Sequence, residues 1–104
     1  LSAISGSGPA YAFYLAEAMA AAGRELGLDA ELSLLLARET VAGAGMMLAE
    51  PGADPTALRK AVTSPNGTTE RAIATFDERG MPAIIAAGAR AAADRAAEIT
   101  KQLG

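Results

Sequence analysis

The residues best placed to do chemistry are Val62-Thr63-Ser64-Pro65-Asn66-Gly67-Thr68-Thr69, a turn rich in hydroxyls and small residues that runs into a helical pattern over 70–79. A turn leading into a helix start aims unpaired backbone N–H groups at one point, where a small carboxylate can sit. Gly67, Thr68 and Thr69 offer consecutive N–H groups, and Ser64, Thr68 and Thr69 add three hydroxyls. That set suits a carboxylate and an adjacent ring nitrogen. Gly67 has no side chain to keep a ligand from the backbone, and Asn66 tolerates positive φ better than most non-glycine residues. On turn chemistry alone, the same residues also make an ordinary helix–helix connection.

Composition narrows the chemistry further. The chain has 104 residues, a formal charge of −3, no Cys and no His. Without those two residue types there is no disulfide or thiolate chemistry, and the commonest metal ligand and general base are missing. No metal site is expected. The nine basic residues are scattered among twelve acidic ones, whereas a nucleic-acid surface needs clustered Lys and Arg, so no nucleic-acid partner is expected. No signal peptide is visible, and no run approaches the ~18 uninterrupted apolar residues of a membrane span. The expectation is a soluble cytoplasmic protein without a membrane partner. The chain starts at Leu1-Ser2-Ala3-Ile4 without an initiator Met, which predicts a further segment upstream.

A length of 104 residues fits one compact domain with a modest core. Apolar residues make up 51% of the chain, yet Ala dominates them, aromatics are 4% and Trp is absent. A core of small side chains packs backbones closely and buries little per residue.

Helical punctuation is clear along the chain. Ser7-Gly8-Pro9 supplies a cap and an early proline, and Gly27 ends the pattern, which predicts a helix over 9–26. Tyr11, Tyr14, Leu15, Ala18, Met19, Ala22 and Leu26 recur at three- and four-residue spacing and form its predicted buried face. Asp29 caps a second helix that runs to about Glu50, before Pro51-Gly52. The stretch 40–49 carries no charge and is apolar on every face, so protein should surround it, most simply a second copy of the chain.

Asp54-Pro55 opens a short third helix through about Val62. A fourth follows over 69–79, closed by Gly80, and Met81-Pro82 begins a fifth that reaches about Gln102. Ile84, Ile85, Gly88, Ala92, Ile99 and Leu103 are available on it for packing, with Gly88 and Ala92 spaced for close helix contact. The only strand signal is an extended start over 1–5. The class is all-α.

Other groups carry less. Met46-Met47 sits inside the apolar helix and reads as core filler, and Asp77-Glu78 reads as solvated surface. Glu39, beside Arg38, has nothing that marks it as a general acid or base. Ser5-Gly6-Ser7-Gly8-Pro9-Ala10-Tyr11 is by itself a hinge followed by a helix cap.

The spacing Leu58-x3-Val62-Thr63-Ser64-x-Asn66-Gly67-x-Thr69-x2-Ala72-Ile73-x2-Phe76-Asp77 closely resembles the signature of pyrroline-5-carboxylate reductases, and Ser5-Gly6-Ser7-Gly8-Pro9-Ala10-Tyr11 matches the same family. The family normally reads Ser-Pro-Gly-Gly-Thr-Thr at the loop, so Asn66 is a departure. The resemblance implies that residues 1–104 form a C-terminal helical dimerisation and substrate-binding domain. Its implied fold is about five helices in an interleaved dimer, similar to the C-terminal domain of 6-phosphogluconate dehydrogenase.

The family's N-terminal Rossmann domain has no counterpart in this chain, since no G-x-G-x-x-G follows a strand. NADPH or NADH would be bound mainly by that domain, and no cofactor-binding residue can be assigned here. The implied reaction is reduction of 1-pyrroline-5-carboxylate to L-proline, the last step of proline biosynthesis. Val62, Ser64, Gly67, Thr68 and Thr69 would bind the substrate, with Val62 beside its ring and the Thr69 hydroxyl, the catalytic group, hydrogen-bonded to the ring nitrogen. The partners implied are this small molecule and a second subunit, the dimers assembling into decamers in several members. The fragment alone is expected to be inactive. A different class of reading is a purely structural helical dimerisation module. A third, the helical domain of a β-hydroxyacid-type dehydrogenase, requires a catalytic Lys, and Lys60 and Lys101 lie outside the expected pattern.

Overall fold

The computed structural model describes residues 2–103, which form a π-helical turn, Ser2–Gly6, and five α-helices: α1 (Gly8–Glu25), α2 (Ala30–Leu48), α3 (Pro55–Ala61), α4 (Thr68–Glu78) and α5 (Met81–Leu103). No strand occurs among the described residues, in keeping with the all-α expectation. Residues 8–53 and residues 2–7 with 54–103 are two compact units.

In the first unit, α1 and α2 form a helical hairpin whose short connection is specified residue by residue. Gly27 has φ +101, and its N–H donates to Arg24 O while the Leu28 N–H donates to Gly23 O, both at 3.0 Å. These are the two bonds of a Schellman ending, which a residue with no Cβ can adopt freely. Asp29 then caps α2, its Oδ1 accepting the Leu32 N–H at 2.8 Å.

What the hairpin buries is small. Ala20, Ser33 and Ala37 are the buried residues of this unit, and Ala16, Met19, Gly23 and Val41 are half-buried around them. Ala16, Ala20 and Gly23 share one face of α1, and Ser33, Ala37 and Val41 share one face of α2. The predicted face of α1 is not the one the chain buries. Tyr14 and Leu26 are 73% and 85% exposed, Tyr11, Leu15, Ala18 and Ala22 are exposed, and only Met19 is partly covered. Periodicity identified an apolar stripe, but the neighbouring helix took the stripe of small residues, where two backbones can come closest. The stretch 40–49 is likewise bare within its unit apart from half-buried Val41.

In the second unit, the predicted extended start is a π-helical turn over residues 2–6, with the Ser7 N–H donating to Ser2 O at 2.7 Å. Leu1 lies outside the described residues. The segment has a single β-branched residue and no alternation, and by coiling it pairs its own backbone while packing on α5. Asp54 caps α3 through Thr56 N–H, and Pro55 occupies the first turn. Gly80, at φ +80, joins α4 to α5, and its carbonyl accepts the Ile84 N–H at 2.9 Å.

Helix α4 packs on α5, whose half-buried residues are Met81, Ala89, Ala92, Ala93 and Ala96. Of the six residues predicted to pack on α5, only Ala92 is covered; Ile84 and Ile85 are exposed, and no neighbour stands within 4 Å of a Cβ built at Gly88. The reason is the same as in the hairpin. Contacts within the chain use alanines, and the large apolar side chains face outward.

Candidate functional site

The loop between α3 and α4 is built from successive hydrogen-bonded turns. Helix α3 ends as the Val62 and Thr63 N–H groups donate to Arg59 O and Lys60 O, each at 3.2 Å, and the Thr63 hydroxyl adds a bond to Arg59 O. Residues 64–67 then close a β-turn in which the Gly67 N–H donates to Ser64 O at 3.1 Å. Pro65 holds its second position and Asn66 its third, at φ 63. Proline followed by a left-handed residue is the type II arrangement. Asn66 therefore stands in the left-handed conformation that its residue type was expected to tolerate.

Gly67 is the N-cap of α4, in extended backbone, and gives it no side-chain cap. A Cβ built at Gly67 would lie 3.2 Å from Ser64 O. The missing side chain thus serves the turn as well as any ligand. The Asn66 N–H donates to Glu70 Oε1 at 2.9 Å.

These bonds settle which donors remain. The Gly67 N–H, expected as one of three consecutive free donors, is occupied by Ser64 O. The N–H groups of Thr68, Thr69 and Glu70 have no acceptor among the described residues, because they begin α4 and no side chain caps it. The available donor set is displaced by one residue from the predicted one. The hydroxyls of Ser64, Thr68 and Thr69 also make no hydrogen bond among the described residues, and all three residues are exposed. At this positive end of the helix, a carboxylate gains from both the donors and the dipole.

An open depression of about 400 Å³ lies against this helix start, lined by Asn66, Gly67, Thr68, Glu70, Arg71 and Ala74. Gly67 and Thr68 of the predicted binding residues line it; Val62, Ser64 and Thr69 do not. Successive helix residues point ~100° apart, which separates Thr68 from Thr69. A second depression along α4 has Arg59, Lys60 and Thr63 on one side and Glu70, Ile73 and Asp77 on the other.

Glu70, in the first turn of α4 as the helical pattern predicts, is the residue whose bond to the loop the sequence reading did not single out. Its signal was available: an acidic residue three places after a helix N-cap reaches back to backbone N–H groups. Here it reaches one residue further, since the N-cap's own N–H is used in the turn. Ser5-Gly6-Ser7-Gly8, the other glycine-rich segment, leads from the π-helical turn into α1 rather than from a strand. It is not a dinucleotide cradle.

Helices packed through small residues, wide uncovered apolar faces and a donor-rich helix start define a helical domain of the kind completed by another protein surface. The chain belongs to the pyrroline-5-carboxylate reductase dimerisation family, whose model matches residues 1–99. It is 46% identical over 104 residues to the pyrroline-5-carboxylate reductase of Pseudomonas aeruginosa, covering 100% of this chain and 38% of that protein. With the Arabidopsis thaliana enzyme it shares 41% identity, over 94% of this chain and 36% of that one.

Two solved structures superpose on it. A pyrroline-5-carboxylate reductase from Coxiella burnetii matches with a TM-score of 0.87 and 42% identity, over 93% of this chain and 36% of that one. Plasmodium falciparum pyrroline carboxylate reductase with NADP bound matches with a TM-score of 0.84 and 29% identity, over 90% and 38%. This chain thus spans little more than a third of the relatives it matches.

Proposed function

We propose that this chain is the dimer-forming and substrate-binding part of an NAD(P)H-dependent pyrroline-5-carboxylate reductase, which makes L-proline from 1-pyrroline-5-carboxylate. The observation that carries the reading is the start of α4, where the Thr68, Thr69 and Glu70 N–H groups have no acceptor among the described residues and stand beside two threonine hydroxyls in a loop matching the family's pattern. In this reading the three N–H groups hold the substrate carboxylate. The Thr69 hydroxyl oxygen accepts a hydrogen bond from the protonated ring nitrogen and keeps the proton on it, so that the ring carbon stays electrophilic.

The nicotinamide, held mainly by a nucleotide-binding domain elsewhere in the polypeptide, supplies the hydride. An iminium needs placement more than a strong acid, so a site without His is adequate. Chain and cofactor domain would act only together, and the isolated chain should not turn over.

The partner in this reading is a second copy. Phe13, Tyr14, Leu26, Met46, Ile84 and Leu103 are among many large apolar side chains left exposed, far more than a lone domain of this size ordinarily presents to water. An interleaved homodimer covers them, with association of dimers into a decamer as a further step. No described helix is long and apolar enough to cross a membrane, and a cytoplasmic location is part of the proposal.

The test is NAD(P)H oxidation by the complete polypeptide with pyrroline-5-carboxylate, compared with Thr69→Ala. Turnover that falls at least tenfold in the variant, about the worth of one hydrogen bond to a charged group, supports both the reaction and the role of Thr69. Wild-type kinetics in the variant would remove that role, and absence of turnover would leave a structural dimerisation module. Light scattering on the same sample separates a dimer from a decamer.

A further inference from the structure

The hydrogen bond from Asn66 N–H to Glu70 Oε1 ties the crown of the loop to the first turn of α4. Asn66 carries a left-handed φ of 63, a conformation that costs a non-glycine residue energy and that persists where neighbours hold it. Within the turn, Pro65 has no N–H, and the Gly67 N–H goes to Ser64 O. The Asn66 N–H, between them, is taken by Glu70. No backbone N–H from Pro65 to Gly67 is then left over, and the next ones without an acceptor among the described residues are those of Thr68, Thr69 and Glu70.

The Glu70 carboxylate is engaged with the loop without occupying these three donors. The one ion pair among the described residues joins Arg95 to Glu98, so no described basic group draws Glu70 away. Its side chain also lines both depressions beside α4. Family members with glycine at the position of Asn66 reach the left-handed conformation without a Cβ penalty; here a residue with a Cβ occupies it and an acceptor four residues on holds it.

We propose that Glu70 is a positioning residue of the substrate loop. By holding the Asn66 N–H, it keeps the type II turn in the one arrangement that leaves the Thr68 and Thr69 donors facing an incoming carboxylate. This rests on the reading of the loop as the substrate-carboxylate site. Glu70 acts through backbone, by its acceptor oxygen; its negative charge, close to where the substrate's carboxylate would sit, works against binding. Acceptor and charge can therefore be separated by substitution. Gln at this position keeps an acceptor oxygen and removes the charge, whereas Ala removes both.

The experiment compares wild type, Glu70→Ala and Glu70→Gln in the complete polypeptide. It reads KM for pyrroline-5-carboxylate, kcat, and amide hydrogen exchange at residue 66. Expected for Glu70→Ala is a KM raised about tenfold, the scale of one lost hydrogen bond, with kcat little changed and faster exchange at Asn66. Glu70→Gln should show a KM at or below the wild-type value and slow exchange. A wild-type KM in Glu70→Ala, or equal impairment in both variants, overturns the proposal. If the wild-type polypeptide does not reduce the imine, the functional reading fails, and exchange at Asn66 still judges the anchor: exchange unchanged by Glu70→Ala overturns it.

Discussion

Gly23 of α1 and Ser33 of α2 meet at the crossing of the helical hairpin: a Cβ at Gly23 would stand 2.7 Å from Ser33 Oγ and 3.0 Å from Ser33 Cβ. Ser33 is 2% exposed, and its α carbon would lie 3.5 Å from the same point, so backbone as well as side chain stands in the way. Replacing Gly23 by Ala must push the helices apart. Overpacking of this kind costs roughly 1–3 kcal/mol, offset by about 1 kcal/mol of better helix propensity. Gly23→Ala should thus lower stability by about 1 kcal/mol, read as a lower urea midpoint with an unchanged slope.

Ser33 Oγ is buried and has no hydrogen-bond partner among the described residues. A hydroxyl in that position keeps its desolvation cost without compensation. Ser33→Ala should raise stability by about 1 kcal/mol, and in the double variant it should recover part of the loss caused by Gly23→Ala. Additive effects in that cycle would mean the two residues do not press on each other.

Met46 is 74% exposed in the middle of the uncharged stretch 40–49. If a second copy covers this stretch, Met46→Lys places an unpaired cation in the interface. The dimer should weaken at least about thirtyfold, equivalent to about 2 kcal/mol, measured by sedimentation, while the helical signal of the chain persists. An unchanged dimer would locate the interface elsewhere.

Asn66 is the only described non-glycine residue with positive φ. Asn66→Gly restores the residue usual in the family, and the complete polypeptide should keep its kinetics within about twofold, since Gly adopts this φ freely. Asn66→Val should cost about 1–2 kcal/mol or distort the turn, visible as a raised KM for the substrate.

Much of this architecture was legible in the residues themselves. Caps and stops are local chemistry, so Asp29, Asp54, Gly27 and Gly80 marked their helix ends to within a residue or two. The loop was legible for the same reason: Pro65, Asn66 and Gly67 carry their backbone preferences with them. The donor set was not, because whether the Gly67 N–H is free depends on where Ser64 O lies, and the reach of Glu70 back to Asn66 requires the helix to be formed first.

Sequence by itself determined that the chain is all-helical, where its helices begin and end, and which loop is dense in donors. Those properties arise within a few residues of one another. Tertiary structure decided which faces the helices bury. Tyr14, Leu15 and Leu26 lost their predicted place to Ala16, Ala20 and Gly23, since a helix neighbour in the same chain is approached most closely through small side chains. The large apolar residues were left exposed, and periodicity alone cannot tell burial against one's own chain from burial against another.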